Sequence, residues 1–394
     1  MKFCKKAAAW LALGLAFSFS VTGLSACGGK EQAPDLTEAK PQLKAITPAD
    51  GKLVVLSNEE IAAFTENYVW NLSGEFAVQG QDHFSMKPLT LKWEGGDEGD
   101  AYEVVLGTKA DLSDGVKYTA DSNSLSVKDL FVSTQYYWQV TCTTAGKEEN
   151  KSAIHSFKTV TTPRTVDIRG VSNTRDLGGY PTESGKYVRQ GMAYRGATLD
   201  SIGEEGIEDA LVKYGIKTEL DVRNASESLG RTESSFGEGA QYYSYSCPYY
   251  LGDHGLNIDK SQYPEEIENL AKAIKVFAVE DNYPIYYHCS LGRDRTGMVA
   301  MLLQGLLGVP RDYIYMDYEV SFFSERGCYD FAGNNPKLKV GHMMDSLTGV
   351  YNYIDAYGET EGPLPFATNC EKYLQDIGVT ETEIASIRNL LLTE

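Results

Sequence analysis

Apolar and polar residues alternate along most of the chain between residues 89 and 142. The clearest run places Tyr136, Trp138, Val140 and Cys142 on one side of the backbone, with polar residues between them. A period of two is typical of a strand with one buried face, and Gly, Asp, Ser and Asn clusters separate the runs. The pattern predicts antiparallel strands, and we expect an all-β sandwich over residues 45–160.

One segment near the start of this module has a different pattern. Ser57 followed by Glu60 has the spacing of a capping box, and Ile61 and Phe64 share one face of a helix. The segment from Ser57 to Asn67 therefore predicts a short helix, which we expect to be an insertion in the sandwich. We expect its aromatic residues to serve a core and not a ligand site.

The pattern changes after Thr161-Thr162-Pro163-Arg164, which is short, polar and marked by proline and is taken as a domain boundary. Apolar residues between 267 and 278 share one helical face, and the apolar strand 285–288 follows them. Alternating helices and strands predict an α/β domain over residues 165–394, with a central sheet flanked by helices.

Aromatic residues recur without a clear period between residues 322 and 370. Phe322-Phe323 opens this segment, and Gly333-Asn334-Asn335 interrupts it. We expect the segment to be an insert that covers a pocket of the α/β domain as a lid or substrate wall. The alternative is a peripheral subdomain.

The first 26 residues have the pattern of a targeting segment. Lys5-Lys6 precede an apolar run from Ala7 to Leu24, and Leu24-Ser25-Ala26-Cys27 resembles the lipobox of bacterial lipoproteins. We expect cleavage before a lipid-modified Cys27, a linker over residues 27–44, and a protein exported and anchored to the outer face of a bacterial membrane. The alternatives are an ordinary signal peptide with a chance cysteine and an uncleaved anchor.

Acidic residues outnumber basic ones, 55 to 36, for a formal charge of −19. A body this acidic disfavours nucleic acid and an anionic bilayer surface as general partners. An anionic ligand must therefore be bound by a local basic pocket.

The cysteines beyond Cys27 are widely and irregularly spaced. No Cys-x-x-Cys and no paired histidines occur, so the sequence predicts neither a metal site nor a cofactor. Export would permit disulfides, but the spacing leaves their pairing open.

Cys289 directly follows the predicted strand 285–288, and a predicted helix over residues 298–307 comes after the loop that it begins. Five residues separate it from Arg295, so the intervening loop can turn its backbone N–H groups towards one anion. An anion site at a helix N-terminus lowers the pKa of a thiol, and the thiolate is the nucleophilic form. Since an arginine fork suits phosphate oxygens, the loop predicts a nucleophile inside a phosphate cradle.

This loop, His288-Cys289-Ser290-Leu291-Gly292-Arg293-Asp294-Arg295-Thr296-Gly297, resembles that of the bacterial tyrosine/phosphoinositide phosphatases in the cysteine-dependent tyrosine phosphatase superfamily. Arg293 stands where that branch has lysine. Three further blocks resemble the same branch, and the resemblance covers about residues 165–394. The blocks begin at Asn173, Tyr194 and Leu220. Residues 45–160 resemble a fibronectin type III-like sandwich. Trp93, Leu130 and the strand 134–140 carry this resemblance.

The phosphatase resemblance implies roles for the loop residues. Cys289 attacks phosphorus and forms a cysteinyl-phosphate, which water then hydrolyses without a metal or another cofactor. Arg295 and the backbone N–H groups of the loop bind the phosphate oxygens; these groups belong to Ser290, Leu291, Gly292, Arg293, Asp294 and Arg295. His288 and Thr296 support the loop, and Asp176 either supports the loop or caps the turn before Gly178-Gly179.

The proton donor is not given by the loop alone. No Trp-Pro-Asp occurs in the chain, and in the branch that it resembles the aspartate inside the loop, Asp294, is the candidate. Asp294 could instead pair with a nearby base to shape the loop, with Asp253 and Asp259 as the alternative donors. Arg293 could meet a second phosphate of the substrate or be solvated.

These expectations describe a lipid-anchored phosphatase that acts on phosphotyrosine protein or a phosphoinositide. An inositol-phosphate phosphatase is one alternative, and a non-catalytic adhesion or phospho-ligand-binding lipoprotein is another. An arsenate reductase or sulfurtransferase is a third, although no nearby resolving cysteine is evident in the sequence. The sequence does not indicate a partner for the sandwich.

Overall fold

The structure is a computed structural model that describes residues 42–70, 72, 86–146, 150–248, 259–328, 336–357 and 365–394. The chain from Pro41 onward forms one compact unit. The predicted signal segment, Cys27 and most of the predicted linker lie outside the described residues, as does Asp253. None of the described helices has the length and apolar character needed to cross a membrane.

The N-terminal strands form two sheets. One has the order β1-β3-β6, and the other has the order β2-β9-β7-β4-β5 with β8 on β7. All pairs are antiparallel except β2 with β9. The strands are β1 (Lys44–Thr47), β2 (Lys52–Val54), β3 (Leu89–Glu94), β4 (Tyr102–Gly107), β5 (Val116–Ala120), β6 (Ser124–Val127), β7 (Gln135–Cys142), β8 (Asn150–Lys151) and β9 (His155–Thr159).

The two sheets share one apolar core. Along β7 every second residue is buried, so the alternation expected from Tyr136 to Cys142 is confirmed. Leu91 and Trp93 from the first sheet and Val104 and Trp138 from the second belong to the same cluster. Period two therefore places the apolar half of each strand between the sheets.

The predicted short helix is present, but its cap and its packing differ from the prediction. Helix α1 (Glu59–Glu66) begins after Asn58, whose side chain accepts a hydrogen bond from the Ile61 N–H at 2.9 Å. Ser57 is one residue too early to reach that donor. The helix is inserted between strands of the sandwich, as expected, but Ile61 and Phe64 pack against Met316, Val320 and Phe323 of the C-terminal half.

The segment expected to be the domain boundary is buried between the two halves. The Arg164 guanidinium donates to the carbonyls of Asp129 and Leu130 and, at 2.7 Å, to the Asp176 carboxylate. Nearby, the Ser133 hydroxyl donates to the Gly179 carbonyl at 2.8 Å. The sandwich and the α/β half are thus joined by a packed, hydrogen-bonded contact.

The C-terminal half is built on a five-stranded sheet of order β10-β11-β14-β12-β13, in which only β10 is antiparallel. Helices pack with this sheet, so the predicted α/β fold is confirmed. The strands are β10 (Arg175–Asp176), β11 (Ala193–Gly196), β12 (Thr218–Asp221), β13 (Gln241–Ser244) and β14 (Ile285–His288). The helices are α2 (Glu204–Glu208), α3 (Pro264–Val276), α4 (Asp294–Leu306), α5 (Arg311–Glu319), α6 (Pro336–Asp355), α7 (Pro365–Asp376) and α8 (Glu381–Leu391).

The described parts of the segment 322–370 do not form a separate lid. Helices α6 and α7 contact α4, and Met344, Leu347 and Val350 are buried in the same core cluster as the apolar residues of α4. Helices α6 and α7 thus do not form the predicted lid, because their aromatic and aliphatic residues complete the core. Residues 329–335 and 358–364 lie outside the described residues.

Candidate active site

The structure places Cys289 directly after the carboxyl end of β14, the central strand of the five-stranded sheet. Helix α4 begins five residues later at Asp294, so the predicted strand–loop–helix arrangement is confirmed. We call residues 289–295 the catalytic loop. Cys289 is 2% exposed and Arg295 is 6% exposed.

The carbonyl groups of the catalytic loop are held on its outer side. The Ser290 carbonyl accepts from the Thr198 N–H at 3.3 Å, and the Leu291 carbonyl accepts from the Asn173 side-chain amide at 2.9 Å. Arg195 Nη2 donates to the carbonyls of Gly292 and Arg293, at 3.0 and 3.3 Å. In a planar trans peptide the N–H points away from the C=O, so the N–H groups of residues 291–294 face the inner side.

Gly292 is required at the tightest point of this loop. Its φ is +68°, and a Cβ there would lie 2.3 Å from the Gly196 carbonyl carbon and oxygen. Another residue would therefore be strained in its backbone and would collide with β11. The close approach keeps the loop against the strand that carries Arg195.

The Asp317 carboxylate binds the side chains that position the catalytic loop. It accepts hydrogen bonds from Arg195, from Arg175 Nε at 3.0 Å and from the Tyr180 hydroxyl at 3.1 Å. Arg175 Nη1 in turn donates to Asn173 Oδ1 at 2.6 Å, which turns the Asn173 amide towards Leu291. Burial alone would raise the pKa of Asp317, but the two guanidiniums outweigh it and the pKa is lowered.

The surroundings of the Cys289 thiol lower its pKa. Burial raises its pKa, whereas the positive charge of Arg295 and the adjacent Thr296 lower it, and the net pKa lies below the usual value. This agrees with the supporting role expected for Thr296. The thiol and the fixed N–H groups are therefore arranged for attack on an anionic ester.

Glu227 fixes the orientation of Arg295. Its carboxylate accepts from both terminal nitrogens of Arg295, with 2.6 Å from Nη2 to Oε1, and from the Ser290 hydroxyl at 2.9 Å. The hydrogen bonds from Arg295, opposed by partial burial, lower the pKa of Glu227 to about 2. Glu227 thus links both ends of the catalytic loop. The sequence interpretation did not include it, and its only signal was an acid following the block Leu220–Arg223.

Arg293 does not occupy either of its expected positions. It is fully buried, with Nε donating to Asp294 Oδ1 at 2.8 Å and Nη1 donating to the Gly327 carbonyl at 2.6 Å. Its guanidinium also lies over the Phe322 ring. Both the second-phosphate and the solvated interpretations were wrong, because the neighbouring carboxylate and a distant carbonyl bind this cation inside the domain.

Asp294 pairs with a neighbouring base, Arg293, as the alternative to a catalytic role had predicted. Its carboxylate accepts from Arg293 and, at 3.1 Å, from the Tyr318 hydroxyl. Asp259 accepts from Ser261 and Gln262 in its own exposed turn.

His288 is held between two acceptors. Its Nε2 is 3.0 Å from Glu219 Oε1, and its Nδ1 is 3.1 Å from the Cys289 carbonyl oxygen. Both acceptors need a hydrogen, so the geometry favours the imidazolium form. Burial lowers the pKa of His288, but the carboxylates of Glu219 and Asp221 outweigh it and the pKa is raised. The expectation that His288 supports the loop agrees with these bonds.

Asp176 lies at the contact with the sandwich. It accepts from Arg164 at 2.7 Å, from the Gly178 N–H at 2.8 Å and from the Gly191 N–H at 2.6 Å. The bond from Gly178 agrees with the turn-capping alternative, and among the described residues no hydrogen bond of this carboxylate reaches the catalytic loop. Arg164 belongs to the chain segment between the two halves, and its guanidinium donates to one of the Asp176 carboxylate oxygens. Burial raises the pKa of Asp176 despite these bonds.

Among the described residues, Glu219, Asp221 and His288 bring candidate ligand atoms within 4.8 Å of one another. The Glu219 carboxylate accepts from Arg231 and the Ser234 hydroxyl, and Asp221 accepts from Arg223. A metal ion would have to displace these bound cations, so the chemistry of the cluster fits a charge-paired network and not a metal centre.

The family model that describes the tyrosine phosphatase family matches residues 166–393. The chain belongs to this family. It is a family of phosphoric monoester hydrolases, and the resemblance drawn from the catalytic loop is confirmed at this level. The matched range corresponds to the α/β half.

Two bacterial relatives support the same assignment. A Cupriavidus necator protein provisionally named a tyrosine-protein phosphatase is 26% identical over 166 residues, which is 38% of this chain and 59% of that protein. A tyrosine-protein phosphatase of Nostoc commune is 22% identical over 213 residues, which is 46% of this chain and 67% of that protein. The chain thus spans only part of the length of these relatives.

The core catalytic domain of the PP-IP phosphatase Siw14 from S. cerevisiae is similar at 17% identity. The match covers 44% of this chain and 93% of that one, with a TM-score of 0.25. A likeness this low supports neither the fold nor the function of this chain.

Proposed function

We propose that the protein hydrolyses phosphate monoesters through a cysteinyl-phosphate on Cys289. The observation that carries the proposal is the catalytic loop, whose carbonyl groups are bonded on the outer side while Cys289 and Arg295 lie at its two ends. This arrangement presents fixed N–H donors to the oxygens of a phosphoryl group. Such donors stabilise the charge that develops during transfer and need no reorganisation.

The reaction has two steps. The Cys289 thiolate forms a bond to phosphorus while the bond from phosphorus to the ester oxygen breaks, and the leaving oxygen takes a proton. Water then attacks the cysteinyl-phosphate and gives a proton to the group that donated one in the first step, the sulfur–phosphorus bond breaks, and inorganic phosphate leaves with the thiolate restored. Arg295, oriented by Glu227, binds two oxygens of the transferring group.

For the proton donor we retain Asp294, whose side chain is oriented by Arg293 and Tyr318. The test is the pH–rate profile of Asp294→Asn on an alkyl phosphate, which has a poor leaving group. We expect the basic limb to be lost while an aryl phosphate is affected less. An unchanged profile would transfer the role to Asp253 or Asp259.

The substrate class that we propose is phosphotyrosine protein, a phosphoinositide, or both. Relatives named tyrosine-protein phosphatase favour the first. The lowered pKa of Cys289 favours catalysis over a non-catalytic phospho-ligand reader, because a reader needs no reactive thiolate.

We also propose that residues 1–26 direct export, that Cys27 carries the lipid anchor, and that residues 45–160 are a fibronectin type III-like domain. The sequence Leu24-Ser25-Ala26-Cys27 supports the anchor, and two sheets around one apolar core support the domain. Cys27→Ser should release the protein from the membrane fraction and abolish incorporation of labelled palmitate. Unchanged fractionation would refute the anchor.

The main test of the proposed activity uses p-nitrophenyl phosphate in the presence of a chelator. We expect turnover by the wild type and none by Cys289→Ser. Cys142→Ser, which makes the same change in the sandwich, should keep wild-type turnover. Absence of wild-type turnover would refute the phosphatase proposal and favour the reader.

A further inference from the structure

A small pocket lies directly beside the catalytic loop. Its volume is about 260 Å³, and its lining combines hydroxyl, charged and backbone groups. It is lined by Gly170, Ser172, Ala197, Thr198, Ser201, Glu325 and Arg326.

Two hydrogen bonds connect the surroundings of this pocket to the catalytic loop. The Thr198 N–H donates to the Ser290 carbonyl at 3.3 Å. The residue after Arg326 is Gly327, whose carbonyl accepts from Arg293 Nη1 at 2.6 Å. Ser290 and Leu291 are partly exposed, so the pocket adjoins the loop where the loop reaches the surface.

The turn that carries Arg326 is anchored at its backbone. The Arg326 N–H donates to the Ser172 hydroxyl oxygen at 3.2 Å, and the Gly327 N–H donates to the Ser324 hydroxyl oxygen at 3.0 Å. Both neighbours of the Glu325-Arg326 pair, Ser324 and Gly327, are buried, whereas the pair itself is exposed. The fold therefore presents these two side chains to solvent from a fixed position.

Arg326 differs from the other arginines in its contacts. Every other arginine of the chain donates to an oxygen or lies over an aromatic ring. Within the part of the chain that the structure describes, the Arg326 guanidinium has no such partner. In a chain with a formal charge of −19, a solvent-facing guanidinium beside the catalytic loop is suited to bind an anion.

We propose that this pocket is a second subsite, in which Arg326 and the Ser172 and Thr198 hydroxyls bind a further phosphate of a polyol substrate. The inference rests on the proposed phosphatase activity, with the reacting phosphate over Cys289. Arg326 would thus bind the second phosphate that the sequence analysis had suggested for Arg293. Glu325 lines the same pocket and repels a lone phosphate, but its carboxylate can accept from a ring hydroxyl. A phosphorylated polyol carries both groups, whereas a phosphotyrosine side chain has neither a second phosphate nor a ring hydroxyl.

The test compares kcat/KM on a soluble inositol bisphosphate, the matching monophosphate and p-nitrophenyl phosphate. We expect the wild type to prefer the bisphosphate over the monophosphate. Arg326→Gln should lower the ratio of bisphosphate to p-nitrophenyl phosphate activity about tenfold, the size of one lost charge-assisted hydrogen bond. Arg326→Lys should recover part of the ratio. Lys158→Gln removes a charge from the exposed face of the sandwich and should leave the ratio unchanged.

The same kinetic comparison with a short-chain phosphoinositide that carries the same headgroup distinguishes a lipid headgroup from a soluble inositol phosphate as the ligand. An equal loss in Arg326→Gln for lipid and soluble substrates supports the subsite for both, and a loss confined to the lipid supports it for the headgroup alone. Activity of Arg326→Gln that is unchanged, relative to p-nitrophenyl phosphate, on both the soluble bisphosphate and the lipid overturns the subsite. An equal dependence on Arg326 with a singly phosphorylated tyrosine peptide overturns the polyol assignment.

A binding measurement separates this inference from the proposed activity. Titration of inositol bisphosphate into Cys289→Ser and into the Cys289→Ser, Arg326→Gln double variant needs no turnover. Weaker binding by the double variant supports the subsite even if the wild type hydrolyses nothing. Equal binding by the two variants overturns the subsite even if the wild type is an active phosphatase.

Discussion

The sandwich and the α/β half bury different kinds of side chain. The sandwich core contains Leu91, Val104, Trp138 and Phe157, all fully buried and apolar except for one indole nitrogen. Beneath the catalytic loop the α/β half buries charged groups instead, namely Arg175, Arg195, Arg293, Asp317, Glu219 and His288. Burying an ion costs several kcal/mol, and apolar residues would stabilise the fold as well or better. The buried charges therefore indicate a requirement for loop geometry in this half and not in the other.

The largest effect is expected from Asp317→Asn. Two buried guanidiniums would lose the carboxylate they share, which costs about 3–5 kcal/mol of unfolding free energy. Because Arg195 and Asn173 would then hold the loop carbonyls less well, kcat/KM should fall on the order of a hundredfold. Chemical denaturation and steady-state kinetics measure the two effects.

Tyr180→Phe is the control for Asp317→Asn, since it removes one neutral bond to the same carboxylate, at a cost of about 1 kcal/mol. A folded Asp317→Asn variant with wild-type kcat/KM would contradict the role assigned to this network.

Leu91→Ala tests the other side of the comparison. Truncating this fully buried side chain should cost about 3 kcal/mol through lost burial and the cavity left behind. At temperatures where the variant is folded, kcat/KM on p-nitrophenyl phosphate should equal that of the wild type. A loss of activity in the folded variant would show that the sandwich core also determines loop geometry.

Glu219→Gln should remove a pH-dependent part of the stability. The raised pKa of His288 means that its contribution is complete below the unfolded histidine pKa and is lost as pH rises through the folded pKa. The lowered pKa of Glu219 means that its own contribution is lost as pH falls through its folded pKa. The difference in unfolding free energy from the wild type should therefore be largest between about pH 4.3 and 6.5.

Ser234→Ala removes a neutral donor to the same carboxylate and is the control for Glu219→Gln. It should change stability without this pH profile. A pH-independent difference for Glu219→Gln would contradict the imidazolium assignment.

The smallest effect is expected from Glu227→Gln. Glu227 is partly exposed, and such ion pairs contribute about 0–1 kcal/mol, so KM for p-nitrophenyl phosphate should change by at most about fivefold. The lowered pKa of Glu227 stabilises the fold above its unfolded pKa, and this contribution is lost as pH falls from about 4.3 towards the folded pKa of about 2. Acid titrations of both proteins should converge below that range, and a constant offset would contradict the pairing with Arg295.

Local patterns were enough to predict much of the fold. The alternation in β7 is confirmed, because it depends on residues a few positions apart. The order of Cys289, Arg295 and the flanking strand and helix is confirmed for the same reason. The N-cap of α1 was wrong by one residue, since Ser57 and Asn58 are both good caps and only the helix start decides between them.

Long-range partners could not be predicted. Asp317 is 142 residues from Arg175, and Glu227 is 68 residues from Arg295. The burial of Arg293 was missed in both of its expected positions, a second phosphate or solvent, because its partner at Gly327 is 34 residues away. Spacing within a motif carries no information about such contacts, which arise when separate strand ends meet at one edge of the sheet.

The central claim is that Cys289 becomes covalently phosphorylated during turnover. The most direct measurement is acid quenching of the wild type with a labelled aryl phosphate, followed by digestion and mapping of the labelled peptide. We predict label on the peptide that contains Cys289, lost on reaction with iodine and absent from Cys289→Ser. Turnover with label on another residue, or with no labelled protein under rapid quenching, would contradict the account.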